Sequence, residues 1–252
     1  MGFTAKTKAT LDRALSRFGI ASRTRARRQI TDGLVSVNGK VERNPDRWVD
    51  LTRDNLAIRG AQVRPAVRKY WALNKPKGVI TTHRDKMGRK TVYDLFPSGQ
   101  SHVFSVGRLD KNTSGLLLLT NDSDFADYLT DPAYKVPKRY LVKVSGKVDD
   151  EQIEKLRNGI ELADGRTLPA HVSRVRATER NSWLEITIHE GRNRQIRRMF
   201  EALDCIVLKL VRIQVGKLKL GSLTTGEMRE LTSREVSKYF SYPPPARRPA
   251  KR

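Results

Sequence analysis

One carboxylate in this 252-residue chain stands where a charge is costly to keep. Asp110 lies between Arg108 and Lys111, ahead of a small-residue turn and of four consecutive leucines at positions 116–119. Four leucines in a row predict a buried strand. A charged group beside buried chain costs free energy unless something holds it there. We therefore expect Asp110 to do chemistry, and the structural alternative is a carboxylate that only bonds to the backbone of its turn.

Two further segments combine charge with core-forming residues. They are KRY at 138–140, which contains Tyr140, and GRNRQIRRM at 191–199, which contains Arg197. A tyrosine on a strand often serves only the core, and arginines on a helix often form only a solvated face. These three segments are far apart in sequence, so their meeting in space is a prediction that the fold must satisfy.

The charge balance points to a polyanionic partner. The chain has 50 Lys+Arg against 27 Asp+Glu, a formal net charge of +23, which favours nucleic acid. No apolar run approaches the roughly 20 residues of a membrane-spanning helix, and no export signal is visible. The single cysteine and four scattered histidines predict neither a disulfide nor a metal site. A cytoplasmic, metal-independent protein is the expectation.

The amino-terminal part is the denser in positive charge, with 16 Lys+Arg against 6 Asp+Glu in residues 1–69. Apolar spacing predicts a helix at 11–18, and Ser22 can cap a second helix that carries Arg23, Arg25, Arg27 and Arg28. The Asn-Gly pair at 38–39 predicts a hairpin over 34–41. We interpret this module as a surface that follows RNA phosphates, against the alternative of a solvated helix face.

The remaining pattern alternates strands with a few helices and lacks a regular βαβ spacing, which predicts an α+β fold with a mixed, mainly antiparallel sheet. Apolar spacing predicts strands near 70–74, 140–144, 184–188, 207–213 and 228–231, and helices near 124–129, 150–158, 193–203 and 233–240. The predicted organisation is a flexible basic tail at 1–10, the small domain at 11–59, a linker at 60–68, a larger domain at 69–240 and a disordered Pro-rich basic tail at 241–252.

Two resemblances follow from these motifs. Residues 11 to about 58 resemble the RNA-binding domain first described in the fourth small-subunit ribosomal protein, on ASR at 21–23, GLV at 33–35 and VNG at 37–39. From residue 11 to about 240 the chain resembles the ribosomal RNA pseudouridine synthases that carry this module. The matching motifs are NKPKGV at 74–79, GRLDKNTSGLLLLTND at 107–122, KRY at 138–140 and GRNRQIRRM at 191–199.

The resemblance implies that the protein isomerises a uridine in ribosomal RNA to pseudouridine without a cofactor. Asp110 would be the nucleophile, attacking base or ribose, Arg197 its counter-ion, and Tyr140 the ring that packs on the target base. We favour 23S large-subunit over 16S small-subunit RNA, naked or in a pre-ribosomal particle, and a monomeric enzyme. The residues expected to contact RNA are Arg23, Arg25, Arg27, Arg28, Lys40, Lys75, Lys77, Arg84, Arg89, Arg108, Arg194 and Arg198.

Two other classes of protein share the same charge. One is a non-catalytic RNA-binding or ribosome-assembly factor that kept the synthase fold, and the other is a DNA-binding protein. Neither has a use for Asp110, Tyr140 and Arg197 together, so the catalytic interpretation is preferred.

Overall fold

The computed structural model describes residues 7–83, 85–96 and 103–242. Its α-helices are α1 (Leu11–Arg17), α2 (Arg23–Thr31), α3 (Ser123–Thr130), α4 (Asp150–Asn158), α5 (Gln195–Glu201) and α6 (Ser233–Phe240). Its strands are β1 (Lys8–Thr10), β2 (Val35–Val37), β3 (Lys40–Glu42), β4 (Trp48–Asp50), β5 (Leu56–Ile58), β6 (Ala61–Gln62), β7 (Tyr70–Lys75), β8 (Phe104–Ser105), β9 (Ser114–Thr120), β10 (Lys138–Ser145), β11 (His171–Ala177), β12 (Asn181–Ile188), β13 (Val207–Val215), β14 (Leu218–Lys219) and β15 (Met228–Glu230).

The amino-terminal module is built from α1, α2 and short antiparallel strands. The Ser22 hydroxyl accepts a hydrogen bond from the Arg25 amide and caps α2, as its sequence predicts. Asn38 and Gly39 both have positive φ, 52° and 82°, so they form the tight turn between β2 and β3. Leu11, Leu15 and Ile30 are fully buried and form the centre of a small separate core.

The two ends of this module are more ordered than the sequence suggests. β1 pairs antiparallel with β4, so residues 8–10 are not part of a free tail, while residues 1–6 lie outside the described residues. The expected linker at 60–68 contains β6, which pairs with β5. Its far end is fixed to the second domain, because Arg68 forms an ion pair of 2.8 Å with buried Asp122. The expected tail at 241–252 begins too early, because Tyr242 is buried in a hydrophobic core, and residues 243–252 lie outside the described residues.

A mixed, mainly antiparallel sheet carries the larger domain, and the α+β prediction is confirmed. Its strand order is β11-β12-β10-β13-β9-β7-β15, with β14 beside β13 and β8 beside β9. The contact between β13 and β9 is parallel, and the other strand pairs of this sheet within the described residues are antiparallel. This parallel contact lies inside the sheet. It joins one half, made of β10, β11, β12 and β13, to the other half, made of β7, β9 and β15.

Helices cover the two halves differently. One core lies on a single face and unites buried residues of β10, β12, α4 and α5, such as Val142, Leu184 and Met199. The second core lies on the opposite face and packs α3 and α6 on β7 and β9. Successive leucines of β9 therefore alternate between the two cores, with Leu117 in the first and Leu116 in the second. Strand β9 is consequently buried on both faces, which explains its unbroken apolar sequence.

Gly115 permits the close approach at the centre of the sheet. Its φ is +99°, and a Cβ placed there would lie 2.3 Å from the carbonyl oxygen and 2.8 Å from the amide nitrogen of Arg212. Only glycine accommodates both the backbone angle and the neighbouring strand. Since Gly115 follows Asp110 by five residues, this contact fixes the start of β9 and with it the turn that holds the carboxylate.

We predict that Gly115→Ala lowers the free energy of unfolding by about 2 kcal/mol more than Gly165→Ala. Gly165 has a similar φ of +96° with no atom near its missing Cβ, so its substitution costs only the left-handed backbone, about 1–2 kcal/mol. Overpacking against Arg212 supplies the difference. Denaturant unfolding of both variants measures it, and equal losses would show that the approach of β13 imposes no requirement for glycine.

Candidate active site

A pocket of about 450 Å³ opens beside the parallel contact between β9 and β13. It brings together the three sequence segments singled out above, since Asp110, Tyr140 and Arg197 all line it. Asp110 is its lining carboxylate, with 38% of the side chain exposed. The cationic lining residues are Arg108, Lys138, Arg192, Arg194, Arg197 and Arg212.

The loop that carries Asp110 is held by its backbone from one side. The Thr81 hydroxyl donates to the carbonyl of Leu109 at 2.9 Å, and the Gly78 amide donates to the carbonyl of Lys111 at 2.8 Å. Both donors follow β7, in or just after the NKPKGV motif. That motif thus positions the neighbours of Asp110 on each side of it and leaves the carboxylate itself facing the pocket.

The arginine motif holds the same loop from the other side. One Nη of Arg197 donates to the carbonyl of Asn112 at 2.9 Å and the other donates to the carbonyl of Val207 at 3.2 Å. The cation nearest to the Asp110 carboxylate is instead Arg194, with Nη1 3.9 Å from Oδ2. Burial and Arg194 lower the pKa of Arg197 below the ordinary arginine value, and Asp110 opposes them. The ion pair expected between Asp110 and Arg197 is thus formed with Arg194, while Arg197 interacts with the carboxylate electrostatically.

Tyr140 forms the wall of the pocket on strand β10. It is 8% exposed, and it lies opposite Ile186 of β12 and Arg212 of β13. Lys138 precedes it by two residues, so both side chains lie on the same face of the strand. The ring is thus fixed by core packing while one part of it borders the cavity that Asp110 faces.

Lys75 is the clearest correction to the expected RNA contacts. Its side chain is fully buried, and Nζ donates to the carbonyls of Thr113 at 2.8 Å and Pro76 at 2.9 Å. Burial lowers the pKa of Lys75 to about 8, with Asp110 opposing the shift and Arg212 adding to it. A lysine enclosed in this way cannot reach an RNA phosphate, and it supports the turn after Asp110 instead.

Three cationic residues of the pocket, Lys138, Arg192 and Arg212, were not among the predicted site residues. Lys138 donates to the carbonyl of Val136 at 3.2 Å, and burial with the nearby Arg212 lowers its pKa to about 8. Arg212 is 5% exposed, and its Nε donates to the carbonyl of Leu116 at 2.7 Å. A basic residue between apolar residues of a central strand is the sequence signal for a buried cation in a pocket. The sequence does not show on which face of the sheet that side chain lies.

The other predicted RNA contacts differ in exposure and in their ion pairs. Arg25, Arg28, Lys40, Lys77, Arg108 and Arg194 are exposed, and of these Arg28 pairs with Asp32 at 3.8 Å and Arg194 with Asp110 at 3.9 Å. Arg23 and Arg27 both bind Asp12, which is fully buried, Arg89 pairs with Asp85, and Arg198 pairs with Asp164. Arg84 lies outside the described residues. Arg23 and Arg27 are thus bound within the module, and the phosphate contacts predicted for Arg25 and Arg28 of the same helix stay predictions.

The pocket retains unused hydrogen-bonding capacity. The Oγ1 of Thr113 and the Nε of Arg197 are buried and have no hydrogen-bond partner within the described residues. Buried polar atoms are normally satisfied, so these two are hydrogen-bonding groups that the described residues leave unused. The described part of the chain holds no cluster of three or more His, Cys, Asp or Glu suited to a metal. The arrangement offers one carboxylate for covalent or electrostatic chemistry, surrounded by donors and cations suited to a nucleotide.

The chain has a small basic module followed by a mixed sheet, and a carboxylate, a tyrosine and arginines surround a central pocket. This combination indicates an enzyme that acts on nucleic acid. Comparison with known proteins makes the class specific. Residues 69–202 match the family model for RNA pseudouridylate synthase, and residues 10–51 match the S4 domain. The chain belongs to the RNA pseudouridylate synthase family.

Individual relatives agree with this assignment. The chain is 42% identical over 231 residues to the ribosomal large subunit pseudouridine synthase B of Bacillus subtilis, which covers 90% of this chain and 94% of that protein. The protein of the same name from Pseudomonas aeruginosa is 37% identical over 90% of this chain and 60% of its own length. A solved pseudouridylate synthase is 30% identical, with a TM-score of 0.66, over 91% of this chain and 99% of that one. No helix in the described residues is long and apolar enough to span a membrane.

We predict that stability will depend on pH through Lys75. Its pKa is about 8 in the folded protein and near 10.5 when unfolded, so between these values the unfolded chain holds more protons. The contribution of Lys75 to the free energy of unfolding therefore rises as pH rises from about 8 to 10.5. Lys75→Met removes this rise, whereas Lys77→Met, at the exposed neighbour, keeps it. Denaturant unfolding across that pH range measures the slopes, and parallel curves for Lys75→Met and the wild type would contradict the assignment.

Proposed function

We propose that this protein isomerises a uridine of large-subunit ribosomal RNA to pseudouridine, with Asp110 as the catalytic nucleophile. The observation that carries the proposal is the convergence of Asp110, Tyr140 and Arg197 on one pocket whose other charged lining residues, within the described chain, are cations. The relatives named for the large ribosomal subunit support the choice of RNA. In the same proposal the enzyme acts as a monomer in the cytoplasm.

The reaction is balanced without a cofactor. The bond between ribose C1′ and uracil N1 breaks, a bond from C1′ to uracil C5 forms, and the proton leaves C5 while N1 gains one. An ionised, positioned carboxylate is needed to separate base and sugar. Arg194 lies 3.9 Å from the Asp110 carboxylate, and Arg197 also interacts electrostatically with it, so two cations lie beside the proposed nucleophile when a base fills the pocket.

Tyr140 and the loop clamps serve orientation. The Tyr140 ring is packed into the core and borders the pocket, so it offers a rigid surface on which the detached base can stack while it turns. Asp110 stays in place because donors after β7 and the Arg197 guanidinium hold the backbone around it. The rigid surroundings keep the carboxylate close to the reacting sugar and base through each step.

The target base has to leave its stack to reach this pocket. Extrusion costs a few kcal/mol for a paired base and less for a base in a loop, so a loop or bulge of the RNA is the expected target. Positive charge on the amino-terminal module and around the pocket supplies affinity for the phosphate backbone, and the fold of the RNA supplies selectivity.

We predict that Asp110→Asn abolishes isomerisation while affinity for ribosomal RNA stays within a few-fold of the wild type. The amide is isosteric but cannot act as the nucleophile. Pseudouridine is mapped by carbodiimide treatment of large-subunit RNA and reverse-transcription stops. Asp127→Asn, which makes the same change at an exposed position of α3, retains full activity. Substantial turnover by Asp110→Asn would remove Asp110 from the proposed role.

We predict a division of labour among the arginines of α2. The double variant Arg25→Ala/Arg28→Ala weakens RNA binding and reduces the slope of log affinity against log salt by about 1.5–2, because two phosphate contacts are lost. Arg23→Ala instead lowers the free energy of unfolding by about 1–3 kcal/mol, because it removes a hydrogen-bonded partner of buried Asp12. Filter binding and denaturant unfolding separate the two effects. An unchanged salt slope in the double variant would exclude α2 as the docking face.

A further inference from the structure

A row of cationic and aromatic side chains crosses the uncovered face of the sheet. Strand register places Arg176 opposite Trp183, Trp183 opposite Lys143, and Lys143 opposite Lys209. Directly opposite residues of antiparallel strands project on the same face. The four residues, here called the Trp183 row, therefore span β11, β12, β10 and β13 over about 14 Å at the usual strand spacing.

This face is the one that the helices leave open. The residues that alternate with the row, Val142, Val144 and Leu184, are fully buried against α4 and α5 on the other side. Within the described residues, the second core covers β7 and β9 and includes no residue of β10, β11 or β12. Arg176 and Lys209 are exposed, and Trp183 and Lys143 are half-buried. The Trp183 row consequently lies at the surface, on the face opposite to Tyr140 and the pocket.

The electrostatics of the row suit a polyanion. The Nζ atoms of Lys143 and Lys209 each lie 5.8 Å from the centre of the Trp183 ring. None of the three cations forms an ion pair with an acid among the residues the structure describes. The acid of the adjacent register position, Glu185, is paired with Arg139 at 3.6 Å. A ring flanked by unpaired cations is the combination that binds single-stranded nucleic acid, with phosphates on the cations and a base on the ring.

Two bulges widen the surface with apolar side chains. Val175 is inserted in β11 and Leu208 in β13, each beside a cation of the row, and they are 57% and 48% exposed. Bulges re-aim side chains and are common next to functional surfaces. Exposed apolar residues beside the ring extend the area on which a base can pack, whereas a purely solvated sheet face gains nothing from them.

We propose that the Trp183 row is a second RNA-binding surface, which holds a single-stranded segment of the ribosomal RNA remote from the target uridine. The inference rests on the proposed function for the identity of the RNA. Its location on the face opposite to the pocket means that the bound segment is not the target loop. It adds affinity for the large RNA and does not take part in the isomerisation.

The test compares two triple variants that remove the same charge. Arg176→Gln/Lys143→Gln/Lys209→Gln removes the row, and Lys217→Gln/Lys219→Gln/Arg234→Gln removes three exposed cations elsewhere. Filter binding to naked large-subunit RNA is measured over a range of salt concentrations. We expect the row variant to bind about 10-fold more weakly at roughly 0.1 M salt, with a salt slope smaller by about 2. The control variant changes by less than about 3-fold. Equal losses in both variants would overturn the proposal.

Further measurements test whether the Trp183 row binds protein instead of RNA and whether the variants fold. If the row variant binds naked RNA normally but loses affinity for the assembled large subunit, the surface binds protein and the proposal is wrong. Unfolding midpoints verify folding, and Arg176→Gln/Lys209→Gln, at two exposed positions, takes the place of the triple variant if that unfolds. We expect single-stranded RNA to quench the tryptophan fluorescence of the wild type, and we expect Trp183→Phe to lose the part of the quench that comes from Trp183. The same quench in both would overturn stacking on Trp183.

The two proposals fail separately. Affinity is measured without turnover, so a specific loss of binding in the row variant supports the surface even if no large-subunit uridine is isomerised. Full isomerase activity on that RNA, together with unchanged affinity and salt slope in the row variant, would overturn the surface and leave the proposed function standing.

Discussion

The contact between Gly115 and the backbone of Arg212 is the constraint on which the site depends. A Cβ at Gly115 would meet the Arg212 carbonyl at 2.3 Å, so the parallel approach of β9 to β13 exists only because that position is glycine. This approach sets where β9 begins, and the Asp110 turn immediately precedes it. It also places Arg212 next to Tyr140 across the adjoining strand. One residue without a side chain therefore permits the strand that follows the carboxylate to approach the strand that pairs with Tyr140.

Once the turn is placed, charge determines what it can do. Lys75 is fully buried yet donates to two carbonyls, which replaces part of the solvation that its ammonium loses. Lys75, Arg194 and Arg197 all interact electrostatically with Asp110, the carboxylate that lines the pocket within the described residues. Positive charge around a pocket attracts the phosphates of a nucleic acid. In the proposed function, the same cations lie beside the carboxylate that reacts and beside the phosphates that accompany the base.

The sequence was sufficient for features set by local rules and insufficient for those set by partners distant in the chain. Ser22, the Asn38-Gly39 turn and the leucines of β9 predicted their elements because capping, turn geometry and burial are local. Strand β11 was missed because its sequence is polar on both sides of a bulge. Lys75 was placed on RNA because a lysine in a turn motif is usually exposed. Lys75 donates inside the protein because β7 packs beside the chain at Thr113.

The two faces of the sheet divide the tasks of the protein. On β7 and β9 both faces are buried, which gives the rigidity that a catalytic turn needs. On β10, β11 and β12 one face is buried and the other is open, so residues separated by a single position serve opposite purposes. Val142 packs in the core, while Lys143 lies over the Trp183 ring at the surface. Because strand period fixes this alternation, the open face can change its side chains with little effect on the core or on the pocket behind it. A surface of this kind is where an RNA-modifying enzyme can acquire a preference for its own RNA without altering its chemistry.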